Sequence, residues 1–212
     1  MDDAWQAMAD GLKAGGVFIY PLIVLALIAI AAAVDRLYVF TRLTRLPRSL
    51  RKFVASPAPD WNGLRQELRQ VSAHNGFGQF FRAIADNREQ PVWWIEARSA
   101  DQAAQIERRL DQGLWILETI VTAAPLLGLL GTIAGMIGAF RLFGDSGAVD
   151  PGAVTGGVAE ALISTAIGIV VALVALVAFN FFSHRRAATL DEMERLGTAL
   201  IEHIRLERTQ AS

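Results

Sequence analysis

Residues 119–140 read TIVTAAPLLGLLGTIAGMIGAF and residues 161–183 read ALISTAIGIVVALVALVAFNFFS, and neither stretch contains a charged side chain. A third uncharged stretch covers residues 14–34. The hydrocarbon core of a bilayer is about 30 Å thick, and an α-helix of roughly 20 apolar residues crosses it. Because main-chain polar groups in lipid must be satisfied within the segment, we predict that each stretch is a transmembrane helix.

The composition agrees with a membrane protein and excludes several classes of function. Of the 212 residues, 53% are hydrophobic and 19% charged, and the mean hydropathy is +0.35. Soluble domains carry about 25% charged residues. The net charge of −1 gives no indication of nucleic-acid binding. The lack of cysteine excludes disulfides and thiolate metal sites, and the three histidines are far apart in the sequence. With no phosphate loop, triad or metal-ligand cluster in the sequence, we expect no cofactor, no metal and no enzymatic activity.

Basic residues are concentrated at particular ends of the spans. Six follow the first span, two precede the second and two follow the third, whereas acidic residues dominate the N-terminal segment and the connection between the second and third spans. Because basic residues favour the cytoplasmic side, we expect the N-terminus and the connection between the second and third spans to lie outside, which is the periplasm in a bacterial inner membrane. The long connection between the first and second spans and the C-terminus are expected in the cytoplasm. Alternatively, the three alanines at 31–33 could form a signal-peptidase site. The acidic N-terminal region opposes that interpretation, and cleavage would send the Arg-rich loop outward.

The polar segments carry four apolar stripes at helical spacing. A helix break is expected at Asn75 and Gly76. No breaker separates the third stripe from the second span, and no proline follows the third span, so both of these helices are predicted to continue into the cytoplasm. The stripes are Trp61, Leu64, Leu68 and Val71; Phe77, Phe80, Phe81 and Ile84; Ile106, Leu110, Leu114 and Leu117; and Leu190, Met193, Gly197, Leu200 and Ile204.

Together these elements predict an all-α membrane protein with three transmembrane helices, the second and third of which extend into a cytoplasmic helical bundle. The predicted segments are a periplasmic N-terminal segment (1–15), transmembrane helix 1 (16–35), a cytoplasmic helical loop (36–112), transmembrane helix 2 (113–140), a periplasmic loop (141–156), transmembrane helix 3 (157–183) and a cytoplasmic C-terminal helix (184–212).

The second and third spans each carry small residues on one helical face. Small residues let transmembrane helices approach closely, so we expect these faces to pack together, within a subunit or between subunits. The faces consist of Ala124, Gly128, Gly131, Gly135 and Gly138 on the second span, and of Ala161, Thr165, Gly168, Ala172 and Ala175 on the third.

Helix packing does not explain the polar side chains among these small residues, Thr132, Glu160, Ser164 and Thr165. A carboxylate in a membrane helix costs about 2.5–3.5 kcal/mol on insertion scales, which makes it a functional candidate. A group that gains and loses a proton there is suited to proton transfer. The alternative is that Glu160 lies at the outer interface, where it is solvated or caps the helix.

The depths of these side chains follow from the helical rise. If the outer ends of the spans are Phe140 and Gly157, Thr132 and Thr165 each lie eight residues in, about 12 Å deep. We therefore predict that the two hydroxyls are level and line a polar path. Glu160 lies about 7.5 Å further out, with Ser164 beneath it, while Thr165 points roughly 140° away. The path then needs groups from a neighbouring subunit or a partner.

At this hairpin the sequence resembles the ExbB/TolQ/MotA proton-channel family. The resemblance is carried by APLLGLLGTIAGM at 124–136 and GVAEALISTAIG at 157–168. It extends over about residues 100–185, continues more weakly over 16–40 and fades in the loop. The three-span topology and the wording of these motifs look most like the ExbB branch.

The resemblance implies a role for particular residues and partners. Glu160 matches the family's membrane glutamate, Thr132 and Thr165 match its pore threonines, and Pro125 lies in the matched part of the second span. It implies a homo-oligomer, a pentamer, around the paired transmembrane helices of an ExbD-type single-span protein. Such a complex would lie in the bacterial inner membrane and use the proton motive force to drive a TonB-type protein in outer-membrane transport.

Two other functions stay open at this point. One is a TolQ-like subunit of the Tol–Pal envelope system. The other is a non-conducting membrane scaffold in which Glu160 is merely interfacial. A stand-alone transporter is disfavoured, because three spans without a second repeat leave little room for an enclosed site.

Overall fold

The computed structural model describes residues 17–45, 60–141 and 151–211. The predicted N-terminal segment and most of the 141–156 loop lie outside these ranges. The regular structure of the described ranges is helical throughout, which confirms the all-α prediction. Its elements are α1 (Ile19–Leu43), α2 (Trp61–Gln70), α3 (Gly76–Ala85), α4 (Val92–Asp111), α5 (Leu114–Arg141) and α6 (Pro151–Ala211).

Three helical stretches are long and apolar enough to cross a membrane, as the sequence predicts. They are Ile19–Leu43, Val92–Phe140 and Val154–Gln210. The third is part of the single 61-residue helix α6, so the prediction that the third helix continues well beyond the membrane is confirmed. Pro151 opens α6, a position where proline loses no helical hydrogen bond.

Three helix boundaries differ from the sequence prediction. Helix α6 begins at Pro151, six residues before the predicted start of transmembrane helix 3, so the last residues of the predicted 141–156 loop are helical. Helix α1 ends at Leu43, eight residues past the predicted end of the first span, because a charged residue ends an apolar run without ending a helix. Conversely, the stripe through Leu110 and Leu114 is interrupted between α4 and α5. Gly113 takes φ = 86° there, in the left-handed region that glycine adopts without a steric penalty.

The described chain forms two compact units. The first unit contains α5, the part of α6 up to Asn180 and the part of α1 up to Val34. Leu22 of α1 is fully buried in it. The second unit contains the remainder of α1, helices α2 to α4 and the rest of α6.

The core of the second unit is built from the predicted stripes. Phe81, Ile84 and Ile106 are fully buried, and the rings of Phe80 and Phe81 meet edge to face with centroids 5.7 Å apart. A Cβ at Gly197 would lie 2.6 Å from the Phe80 ring, so α6 approaches α3 closely at this glycine. The break predicted at Asn75 is confirmed, since its side chain caps α3 by accepting from the Gly78 N–H.

Candidate functional site in the α5–α6 hairpin

The small residues of α5 pack directly against those of α6. A Cβ on Gly128 would lie 2.9 Å from the Cα of Thr165, and one on Gly168 would lie 2.6 Å from the carbonyl oxygen of Ala124. Both obstacles are main-chain atoms, which cannot rotate away. The two backbones are therefore as close as glycine permits.

The contact continues toward the end of the hairpin that carries the 142–150 connection. A Cβ on Gly135 would lie 2.9 Å from the Cβ of Ala161 and 3.0 Å from the carbonyl oxygen of Gly157. Ala161 is 2% exposed and Ala172, further along α6, is 7% exposed. These positions belong to the face that the sequence predicts.

Gly138 does not join this contact. No atom of the described chain lies within 4 Å of a Cβ built on Gly138, whereas Ala139 is buried and lies 3.2 Å from a Cβ built on Gly157. An alternating spacing of 4 and 3 averages 3.5 residues and drifts around a helix of 3.6 residues per turn. Near the C-terminal end of α5 the packed face is therefore shifted by one residue, and Ala139 occupies the position that was predicted for Gly138.

The proline inside α5 lies next to this packed face. Pro125 is half-buried and directly follows the buried Ala124. Proline has no N–H to donate to the carbonyl one turn earlier, that of Val121, and membrane helices tolerate this where neighbouring groups compensate.

Thr165 is the polar residue that the structure binds most firmly into the packed face. Its hydroxyl donates to the carbonyl oxygen of Gly128 at 2.9 Å. Ser164 is 1% exposed, and a Cβ on Gly131 would lie 2.6 Å from the Ser164 Cβ. The side chains of Ser164 and Thr165 thus both belong to the contact between the helices, where each has protein atoms around it.

Thr132 is placed differently. It is half-buried, and its hydroxyl donates to the carbonyl of Leu129 in its own helix at 2.7 Å. The prediction that Thr132 is level with Thr165 is wrong, because Thr165 lies opposite Gly128. Four residues at 1.5 Å each put Thr132 about 6 Å, one helical turn, nearer the 142–150 connection.

The error came from the assumed ends of the spans. Gly131 lies opposite Ser164 and Gly135 opposite Ala161, so the level of Thr132 is between those two residues of α6. Glu160 directly precedes Ala161. Thr132 therefore lies between Thr165 and Glu160 in depth.

Glu160 is half-buried in the apolar part of α6. Its carboxyl makes no hydrogen bond or ion pair with any residue in the described part of the chain. Its neighbour Ala161 lies in the packed face, so the carboxyl is one residue off the contact between α5 and α6. It is a proton-accepting group within an apolar helix that the folded hairpin itself leaves available.

The hairpin also presents apolar side chains outward. Leu126 and Phe140 of α5 are 61% and 62% exposed, and Leu162 and Val177 of α6 are 63% and 70% exposed. Side chains of this kind face lipid or other membrane helices. Phe18 is a further contact of the hairpin, since its Cβ lies 3.4 Å from a Cβ built on Gly131. No periodic pattern marks it, since it precedes the first turn of α1.

Comparison with known proteins identifies the family. The model of the MotA/TolQ/ExbB proton channel family matches residues 72–195. The chain belongs to this family. The match covers α5, the membrane part of α6 and about half of the second unit, so the packed hairpin is an element of the matched region.

The relatives of this MotA/TolQ/ExbB family member carry ExbB names. An ExbB-like biopolymer transport protein of Synechocystis, ExbB-like 3, is 33% identical over 80% of this chain and 81% of its own length. ExbB-like 1 of the same organism is 29% identical over 91% and 77%, respectively. The biopolymer transport protein ExbB of Xanthomonas campestris is 43% identical over 41% of this chain and 34% of its own length.

The family match and these relatives support a proton-channel type of subunit. The family consists of proton-channel and transport subunits and is not a class of enzymes. The three apolar helices and the ExbB relatives together support an inner-membrane protein.

Proposed function

We propose that this chain is an ExbB-like subunit of an inner-membrane proton-driven motor, which acts with an ExbD-type single-span partner to energise TonB-dependent outer-membrane transport. The observation that carries the proposal is Glu160, a half-buried carboxyl in an apolar helix without a hydrogen-bond partner in the described chain. Intramembrane carboxylates of this kind are expensive to bury and typically serve ion or proton transfer.

The packing of α5 on α6 argues that the proton path lies outside this contact. Backbones that meet at Gly128 and Gly168 leave no space for water between them. Thr132 lies between Glu160 and Thr165 in depth, by the contacts of Gly131 with Ser164 and of Gly135 with Ala161. The path is then completed by groups of a neighbouring copy or of the partner, in keeping with a homo-oligomer, a pentamer, around paired partner helices.

The orientation in the membrane follows from the basic residues at the span ends. Arg185 and Arg186 follow the third apolar run, and Arg108 and Arg109 precede the second. By the positive-inside rule, the second unit faces the cytoplasm and the 142–150 connection faces the periplasm. Glu160 then lies in the periplasmic half of the membrane.

The energy available suits movement between preformed helices. Each proton that crosses supplies about 2.3 kcal/mol per 100 mV of membrane potential. That amount can bias an interface between helices, whereas refolding a packed core requires far more. We infer that the hairpin moves as a rigid body against the partner.

Proton flux into liposomes tests the proposal. The chain and its ExbD-type partner are reconstituted together, a pH gradient and a potential are imposed, and the internal pH is followed with a fluorescent dye. Glu160→Ala is expected to abolish the partner-dependent flux while the complex still assembles. Glu89→Ala, at an exposed carboxylate of the second unit, is the matched control and is expected to retain it.

Two results would count against the proposal. Full flux in Glu160→Ala would remove the assigned role of this carboxyl. No flux in the wild-type complex with its partner would favour the non-conducting scaffold instead. Which envelope system is served, TonB or Tol–Pal, is tested by the TonB-type or Tol-type proteins that co-purify with the complex.

A further inference from the structure

A cavity of about 400 Å³ lies at the end of α1 in the second unit. One wall comes from α1 and the residues that follow it, and the other from the connection between α2 and α3. Its lining includes no carboxylate among the described residues. Tyr38, Arg42 and Arg45 line the first wall, and Asn75 belongs to the second.

The cavity carries uncompensated positive charge. Within residues 17–45, 60–141 and 151–211, neither Arg42 nor Arg45 forms an ion pair. The Arg42 guanidinium lies over the ring of Tyr38, 4.6 Å from its centroid. Stacking of this kind orients a guanidinium while its edge N–H groups remain free to donate.

The walls of the cavity are tied together by a buried side chain. The Asn75 amide donates to the carbonyl of Arg45 at 2.7 Å, and its oxygen accepts from the Gly78 N–H at 2.9 Å. Asn75 is 6% exposed, so the end of α1 is held against the start of α3. The N-terminus of a helix carries partial positive charge, which adds to that of the arginines.

The position of the cavity along α1 brings Arg42 within reach of the headgroup layer of the membrane. Arg42 lies eight residues beyond Val34, where the uncharged run ends, or about 12 Å along the helix. The headgroup layer of each leaflet is roughly 5–7 Å thick. Long arginine side chains reach back along a helix to this layer, and tyrosine is enriched within it.

We propose that this cavity binds the phosphate group of an anionic phospholipid at the membrane surface. Arginine binds phosphate through parallel N–H donors, and basic residues next to a transmembrane helix attract anionic lipids. The site would fix the end of α1 at the headgroup layer. It does not depend on the proton function, because none of its residues belongs to the α5–α6 hairpin.

Lipid binding to the purified full-length chain in detergent tests the site. Dioleoyl phosphatidylglycerol is titrated and counted by native mass spectrometry, with dioleoyl phosphatidylcholine as the neutral lipid. The double variant Arg42→Gln/Arg45→Gln is expected to bind phosphatidylglycerol about tenfold more weakly or worse, because two basic residues are lost near the surface. The matched control is Arg98→Gln/Arg195→Gln, which removes equal charge from exposed parts of the second unit.

Inorganic phosphate is titrated in parallel to separate the two sources of the same chemistry. Selective phosphatidylglycerol binding that the cavity variant loses and the control keeps supports the proposal. Equal loss in both variants, no loss in the cavity variant, or equal binding of the two lipids would overturn it. If inorganic phosphate binds as tightly as phosphatidylglycerol, the proposal of a phospholipid ligand is overturned and the cavity is assigned to a soluble phosphate. Unchanged circular dichroism of both variants excludes misfolding as the cause.

Discussion

The hydroxyl of Thr165 donates a hydrogen bond to the main-chain carbonyl of Gly128 at 2.9 Å, across 37 residues of sequence. The bond depends on the glycine, since a Cβ at Gly128 would lie 2.9 Å from the Thr165 Cα. Any larger side chain would push α6 away from α5 and lengthen the bond. A threonine that resembles a pore residue is thus also a structural residue of the hairpin.

Thr165→Val should therefore lower the stability of the hairpin. The substitution preserves the shape of the side chain and removes the donor, which is worth about 0.5–1.5 kcal/mol. Unfolding of the purified protein in detergent, followed by circular dichroism, measures the change. Thr132→Val is the control, because in the described part of the chain the Thr132 hydroxyl bonds only within its own helix, and it should change stability less. Equal losses in the two variants would contradict the role of the interhelical bond.

Thr165→Val should also abolish energised transport while the complex stays assembled, if the hydroxyl serves the proton path. Thr165→Ser keeps the hydroxyl and should restore both stability and transport in part. Transport by cells that carry each variant, with assembly checked by co-purification of the partner, separates the two roles. Transport at the wild-type level in Thr165→Val would leave Thr165 with its structural role alone.

Gly168→Ala tests how tightly the helices meet. The added Cβ would lie 2.6 Å from the Ala124 carbonyl oxygen, and because main-chain atoms cannot give way, the helices must separate. Overpacking of this kind typically costs about 1–3 kcal/mol. Gly138→Ala adds the same methyl group where no atom of the described chain lies within 4 Å, so it should leave the unfolding free energy nearly unchanged. The prediction fails if both variants unfold alike.

Much of the architecture follows from the sequence because lipid restricts the choices so strongly. An uncharged run of about 20 residues must be helical in a bilayer, so the identity of the three spans required no tertiary information. The amphipathic stripes of the second unit were equally informative. Phe81 and Ile84 recur at helical spacing and are fully buried.

The register between α5 and α6 could not be predicted in this way. Hydrophobicity locates a span only to within a few residues, and an error of that size moves a side chain by a full turn. Two features depend on how the surfaces of α5 and α6 fit together. One is the contact of Gly128 with Thr165, and the other is that Ala139, not Gly138, lies in the contact. The break at Gly113 could not be predicted either, because a single glycine in a helical pattern is usually tolerated.

Gly113→Ala should weaken the junction between α4 and α5. Gly113 has φ = 86°, and an L-residue with a Cβ in the left-handed region costs roughly 1–2 kcal/mol. The chain can instead straighten into one continuous helix, so a lower unfolding temperature or a changed proteolysis pattern near residue 113 is expected. Gly156→Ala, in a helix with open space around it, is the control. Identical stability and digestion of the two variants would show that the left-handed glycine is dispensable.

Asp111→Asn should destabilise the second unit through its partner on α6. Arg186 forms an ion pair with Asp111 across 75 residues, and the Arg186 Nε is buried without another hydrogen-bond partner in the described chain. Neutralising the aspartate leaves a cation that is 31% exposed without its counter-charge. Because both side chains keep some contact with water, the expected loss is about 0.5–1.5 kcal/mol, well below that of a fully buried pair.

Asp101→Asn is the control. It removes the partner of Arg98 at an ion pair in which both side chains are about half exposed and lie only three residues apart. Exposed pairs of this kind contribute about 0–1 kcal/mol, and the lower part of that range is expected here. Thermal unfolding at low and high salt measures the stability of both variants. If Asp101→Asn loses as much stability as Asp111→Asn, the Arg186–Asp111 pair has no special role in joining α4 to α6.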